Sequence, residues 1–155
     1  MKTFSQLLKE CQQSVKEIMP WDLMELIGSN NPPLILDVRE PAEYAKAHIE
    51  NSYHVPRGIL ETACEYGFEE TLPALVEARD KLVIVVCRSG NRSLLAASTM
   101  QCMGYSNVQS LKTGLRGWND YDQQLIDEKN KLLDNDFADE LLTSTVSKDQ
   151  LSPKS

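Results

Sequence analysis

Residues 82–97 read LVIVVCRSGNRSLLAA and decide the fold of this chain. The first five are an uninterrupted apolar run, mostly β-branched and too short for an ordinary buried helix, which indicates a central parallel strand. A polar loop follows from Cys87 to Arg92, and the pattern from Ser93 onward is helical. Cys87 therefore lies where a buried strand passes into a helix.

A junction of this kind favours anions. In open α/β sheets, ligands bind beyond the carboxyl ends of the strands, where the next helix presents unpaired N–H groups and the positive end of its dipole. These groups, together with the guanidinium groups of Arg88 and Arg92, favour a thiolate over a thiol. Gly90 and Asn91 are best able to take positive φ, so the loop can direct its amide protons at the sulfur. We expect Cys87 to be a reactive thiolate, the alternative being an inert cysteine buried at the strand end.

The rest of the chain alternates between strand and helix patterns. The apolar run from Leu34 to Val38 predicts a second central strand, and residues 52–55 and 108–111 are weaker strand candidates. Helical patterns cover residues 20–27, 41–47, 72–78, 93–103 and 115–124. This alternation predicts an α/β fold with a mostly parallel central sheet of about five strands and helices on both faces.

We expect three parts along the chain. Residues 1–16 carry apolar side chains at helical spacing and predict an N-terminal amphipathic helix. Residues 17–124 form the globular domain. Residues 125–155 turn polar and charged, which predicts a C-terminal extension with one surface helix, or a solvated appendage in its place, and then a disordered tail.

Composition and cysteine spacing exclude several classes of function. A formal net charge of −7 argues against a nucleic-acid surface, which needs a concentrated basic face. No apolar run approaches the roughly 20 residues that span a bilayer, so we expect no membrane partner and a cytoplasmic protein. The four cysteines form no CxxC pair, which argues against a zinc site and against a dithiol redox site. We therefore predict no metal and no cofactor.

The loop from Cys87 to Ser93 resembles the active-site loop of rhodanese-domain sulfurtransferases. Residues 37–44, 48–56 and 112–118 also resemble segments of that family, in the family's order, so the resemblance covers roughly residues 17–122. Departures fall in turns: Ala47, Glu50, Asn51 and Thr113 stand where small residues, a Pro-Gly pair and a glycine are usual. They leave the nucleophile and both arginines in place.

The resemblance implies a rhodanese-like fold and a single-domain thiosulfate sulfurtransferase that carries sulfur as a persulfide on its catalytic residue, Cys87. The remaining loop residues would bind substrate: Arg88, Ser89, Gly90, Asn91, Arg92 and Ser93. Asp37 and Arg39 follow a predicted central strand, and we interpret them as structural support, most simply as an ion pair. The implied partners are a small sulfur-containing anion as donor and a small thiophile or a protein thiol as acceptor.

Two other functions stay open. One is a non-catalytic rhodanese-like module that binds a partner or senses oxidants. The other is a phosphatase or arsenate reductase, but these enzymes place an arginine six positions after the cysteine, where this chain has Ser93. The sequence does not decide the physiological donor and acceptor, the oligomeric state, the role of the two terminal extensions, or whether Cys64 takes part in sulfur relay.

Overall fold

A computed structural model describes residues 1–153 of the chain, and a five-stranded sheet lies at its centre. The strands are β1 (Lys16–Ile18), β2 (Leu34–Asp37), β3 (Tyr53–His54), β4 (Val83–Val86) and β5 (Val108–Leu111). Their order is β1-β5-β4-β2-β3, and all four neighbouring pairs are parallel. The predicted α/β architecture with a mostly parallel sheet is confirmed, and β4 occupies the middle of the sheet.

Helices cover both faces of the sheet. They are α1 (Phe4–Gln12), α2 (Pro20–Ile27), α3 (Pro41–Lys46), α4 (Leu60–Ala63), α5 (Pro73–Val76), α6 (Asn91–Cys102), α7 (Gly114–Asp120) and α8 (Asn135–Leu142). Short 3₁₀ turns form at Arg57–Ile59 and Lys148–Gln150. Within residues 1–153, no helix is both long enough and apolar enough to cross a membrane.

The sheet separates two hydrophobic clusters, because successive side chains of a strand point to opposite faces. Val83, Val85 and Cys87 belong to the first cluster, which α4, α5 and α6 cover and α1 partly closes. Ile84 and Val86 belong to the second cluster, which α2, α7 and α8 cover. The sulfur of Cys87 therefore lies on the α6 face of the sheet.

The N-terminal segment differs from its prediction. The helix ends at Gln12 instead of continuing to residue 16, and Lys16–Ile18 then pair with β5 as an edge strand. A three-residue strand with the sequence KEI has no apolar run or alternation long enough to be recognised. Its position is fixed by pairing with β5, a contact that local sequence does not encode.

The C-terminal segment packs against the second cluster. Leu125 and Ile126 are buried, and Ile126 exchanges backbone hydrogen bonds with His48 at 2.9 Å in both directions. Helix α8 begins after its N-cap Asp134 and buries Ala138 and Leu142. From residue 143 to 153 the chain is exposed, with one 3₁₀ turn. The last two residues of the predicted tail, 154 and 155, lie outside the described residues.

Strand register brings two loops together at the carboxyl edge of the sheet. Asp37, the last residue of β2, pairs with Val86, the last residue of β4. The loop that begins at Val38 and the loop that begins at Cys87 therefore leave the sheet side by side.

Candidate active site

The loop after β4 turns within four residues, and Gly90 makes this turn. Gly90 is the N-cap of α6 and has φ 96°, a left-handed conformation that favours glycine. A Cβ there would lie 3.2 Å from both Leu111 O and Thr113 N, so the neighbouring chain leaves little room for a side chain. Asn91, also expected to help the loop curl, is instead the first residue of the helix.

The turn directs two backbone amides at the sulfur of Cys87. The N–H groups of Gly90 and Ser93 donate to Sγ at 3.1 and 3.3 Å. The thiol also lies 3.3 Å from Ser93 Oγ. Cys87 is only 1% exposed, so these donors act where little water competes. Amides at a helix N-terminus stabilise negative charge on such a sulfur.

Arg92 is held by a residue that sequence reasoning missed. Its two terminal nitrogens donate to the carboxylate of Glu43, on α3, at 2.8 and 2.9 Å. This bidentate bond lowers the pKa of Glu43 from 4.5 to about 2 and raises that of Arg92. The only signal for Glu43 was its place in the segment 37–44 that resembles the family. The charge of Arg92 is thus already compensated within the protein.

Arg88 lies beside a group of residues different from those that surround the sulfur. It lines a cavity of about 150 Å³ together with Arg39, Ala42, Glu43, Lys46, Ala47, Leu141 and Leu142. Ala47 and Leu142 belong to the second cluster, whereas Cys87 belongs to the first. Ser89 and Asn91 are exposed, and within residues 1–153 neither side chain has a recorded hydrogen bond.

Asp37 and Arg39 form a buried ion pair beside the loop. The guanidinium Nε and Nη2 donate to the carboxylate at 3.0 and 2.8 Å, and Nη2 also donates to the carbonyl of Ala47. Asp37 is fully buried and Arg39 is 2% exposed. The pair ties the loop after β2 to the end of α3. Among residues 1–153, neither side chain has a recorded bond to Cys87.

The first turn of helix α7 holds the backbone of the active loop by hydrogen bonds. The amides of Leu115 and Arg116, in its first turn, donate to the carbonyls of Cys87 and Arg88 at 2.9 and 3.0 Å. Gly114 has φ 62°, and a Cβ at this position would lie 2.5 Å from the carbonyl carbon of Arg88. The helix terminus thus contacts the loop backbone directly. The segment 112–118 had been recognised only as a family signature, without this role.

The two histidines stack on one tyrosine and bond to backbone. The rings of His48 and His54 lie 3.9 and 4.4 Å from that of Tyr44. His48 Nδ1 lies 2.7 Å from Tyr44 O, and His54 Nε2 lies 2.8 Å from Arg39 O. These contacts fix the loop after β2.

Of the other cysteines, Cys64 is buried in the first cluster, and burial raises its pKa. A sulfur-relay role for Cys64 is therefore disfavoured, because such a thiol must ionise easily. Cys102 is exposed near the end of α6.

Comparison with known proteins places this chain in a family. The model of the rhodanese-like domain matches residues 19–121. A Bacillus subtilis protein named "Putative sulfur carrier protein YrkF" is 34% identical over 70% of this chain, and the chain covers 54% of its length. A protein of Allochromatium vinosum named sulfurtransferase is 28% identical over 67% of this chain and 88% of its own length.

A solved structure from Rhodopseudomonas palustris, described as a protein of unknown function and possible tyrosine phosphatase, superposes with a TM-score of 0.70 at 28% identity. The match covers 79% of this chain and 93% of that one. The fold therefore agrees with that of a known structure. Because the chain covers only about half of YrkF, the full activity of that protein is not carried over.

Proposed function

We propose, because this chain belongs to the rhodanese-like domain family, that it is a sulfurtransferase which carries sulfane sulfur as a persulfide on Cys87. The observation that carries the proposal is the pair of amides, from Gly90 and Ser93, that donate to Sγ at 3.1 and 3.3 Å. Such donors stabilise a sulfur anion, which is both the attacking and the leaving form of the nucleophile.

The proposed reaction has two half-reactions. In the first, the Cys87 thiolate attacks the outer sulfur of thiosulfate or a related donor. A new S–S bond forms to Sγ, the donor's own S–S bond breaks with its electron pair, and sulfite leaves. In the second, a thiophile attacks the outer sulfur of the persulfide, and Cys87 leaves again as the thiolate. No net oxidant or reductant is needed.

The arrangement of charge supports a small sulfur donor over a phosphoryl group. A phosphatase loop needs an arginine that is free to bind the phosphoryl oxygens, whereas Arg92 is bound bidentately by Glu43. Backbone amides then supply most of the direct stabilisation at the sulfur. For the acceptor we propose a small thiophile or a protein thiol, and for the location a cytoplasmic compartment that keeps thiols reduced.

A thiocyanate assay tests the activity. The protein mixed with thiosulfate and cyanide is expected to release thiocyanate, and Cys87→Ser to lose at least about a thousandfold in rate because the nucleophile is gone. Cys102→Ser, at an exposed cysteine that ends α6, the helix after the Cys87 loop, is the matched control and should keep wild-type activity. Full activity in Cys87→Ser would refute the proposal.

Mass spectrometry and an aryl phosphate separate the alternatives. After incubation with thiosulfate, the Cys87 peptide should gain about 32 Da, the mass of one sulfur atom. A protein that gains no such mass from any sulfur donor would be a binding or redox-sensing module instead. Turnover of an aryl phosphate that depends on Cys87 would favour phosphatase chemistry.

A further inference from the structure

A second buried serine lies behind the nucleophile. Ser110, on β5, pairs in register with Val85, and its hydroxyl lies 2.8 Å from Ser93 Oγ. Ser93 and Ser110 are both fully buried. Within residues 1–153, the recorded hydrogen-bond partner of the Ser110 side chain is Ser93. The sulfur, the Ser93 hydroxyl and the Ser110 hydroxyl thus form a continuous chain.

The position of Ser110 is otherwise an apolar one. Val108, two residues earlier on β5, belongs to the first cluster, and side chains two apart on a strand share a face. A buried hydroxyl on this face costs free energy unless it is hydrogen-bonded. Its contact with Ser93 is therefore the feature that distinguishes Ser110 from an ordinary core residue.

The two hydroxyls can reverse their direction. With a neutral thiol, the S–H donates to Ser93 Oγ at 3.3 Å, and Ser93 then donates to Ser110. With a sulfur anion, Ser93 must turn its single proton toward the sulfur, and its oxygen then accepts the proton of Ser110. The sulfur's own proton is lost to solvent, and the serines only rotate. Ser110 supplies the donor that keeps Ser93 Oγ satisfied after the reversal.

We infer that Ser110 is a positioning residue for the nucleophile, which acts through Ser93 by orienting its hydroxyl toward the anionic sulfur of Cys87. The inference deepens the proposed function, because it names how the attacking anion is stabilised. Together with the amides of Gly90 and Ser93, the Ser93 hydroxyl gives the sulfur a third donor. The nearby charges, Arg92 and its partner Glu43, stay the same in all of the variants below.

The rate of Cys87 alkylation by iodoacetamide, followed from acid to alkaline pH by mass spectrometry of the Cys87 peptide, tests this role. Ser93→Ala should raise the midpoint of the rate profile by about one pH unit, the effect of losing a hydrogen bond to a charged group. Ser110→Ala should raise it by about half a unit, a roughly threefold loss of rate below the midpoint. Because Ser110 acts through Ser93, the double variant should shift no further than Ser93→Ala alone.

Two variants separate this role from a merely structural one. Ser110→Thr keeps the hydroxyl and should restore the wild-type midpoint. Ser98→Ala removes a hydroxyl from the same helix as Ser93, away from the chain of hydroxyls, and should leave the midpoint unchanged. If Ser110→Ala does not fold, the pair Ser110→Thr and Ser110→Val gives the same comparison, since they differ by a hydroxyl against a methyl group.

The outcomes are distinct. A midpoint that stays at the wild-type value in a folded Ser110→Ala protein, or a double variant whose shift equals the sum of the two single shifts, would overturn the inference. Alkylation needs only the thiolate and no sulfur donor. A protein that makes no thiocyanate but shows the predicted midpoints would therefore refute the proposed function and leave the inference standing.

Discussion

Individual side chains at this site are ordered by partners that lie far along the chain. Arg92 and Glu43 are 49 residues apart, and each is about one third exposed. Because the ordinary pKa of Glu43, 4.5, falls to about 2, the carboxylate contributes stability that is present above pH 4.5 and is lost as pH falls through about 2. The contribution is modest, since solvent screens a partly exposed pair.

This sign gives a prediction for Glu43→Gln. The free energy of unfolding of the variant should lie below that of the wild type at neutral pH, and the difference should shrink between pH 4.5 and about 2. Urea denaturation across this range measures it. Glu61→Gln, which breaks the more exposed ion pair with Arg57, is the control and should show a smaller difference. A difference for Glu43→Gln that does not change with pH would contradict the assignment.

At the residue scale, the sequence predicts which side chains lie close together where they are near neighbours along the chain. Cys87, Gly90 and Ser93 lie within seven consecutive positions, and the structure brings them together. Glu43 and Ser110 were missed, because their contacts join separate strands and helices and neither residue is unusual in its own segment. The position of Arg88 beside a separate cavity was also not predicted.

At the scale of elements, two helix N-termini meet at the active loop. Helix α6 directs amides at the sulfur, and α7 directs the amides of Leu115 and Arg116 at the loop carbonyls. The first acts on the reacting atom, and the second fixes the backbone that carries it. Thr113 precedes α7 at φ 68°, where a β-branched residue is strained. Thr113 departs from the glycine that is usual in the family at this position, and its positive φ is one that suits glycine.

Opposite effects are therefore expected from substitutions at two adjacent residues where α7 begins. Gly114→Ala should destabilise the protein by about 2–4 kcal/mol, because its Cβ would meet the Arg88 backbone and φ is positive. Thr113→Gly should stabilise it by about 0.5–1 kcal/mol, since relief of strain exceeds the entropic cost of glycine. Urea denaturation gives both values. The same sign for both would show that contact with the loop does not govern this turn.

On the scale of the whole molecule, the chain extends beyond the segment that matches its family. The family model ends at residue 121, whereas Leu125, Ile126, Ala138 and Leu142 are buried in or beside the second cluster. We propose that residues 17–124 are the functional domain and that residues 1–16 and 125–155 are terminal extensions, of which α1 and residues 125–142 pack on it. The sheet and its central strands could be predicted from apolar runs, but the docking of α8 could not, since scattered leucines do not specify where a helix packs.

Substitutions on opposite faces of α8 test this docking. Leu142→Ala should cost about 2–4 kcal/mol of unfolding free energy, because it leaves a cavity in the second cluster. Phe137→Ala, at a residue of the same helix that is 50% exposed, should cost much less. Thermal melts and urea titrations would compare them. Equally small losses would indicate that α8 is a solvated appendage, as the alternative interpretation of the sequence held.

The two edge strands of the sheet are very short: β1 has three residues and β3 has two. An edge strand exposes unpaired backbone groups that can pair with a strand of another molecule, and a short edge strand limits how many such groups are available. The apolar strand β4 is shielded from such recruitment by neighbours on both sides. The protein can therefore keep an aggregation-prone sequence next to its reactive cysteine without offering it to other chains.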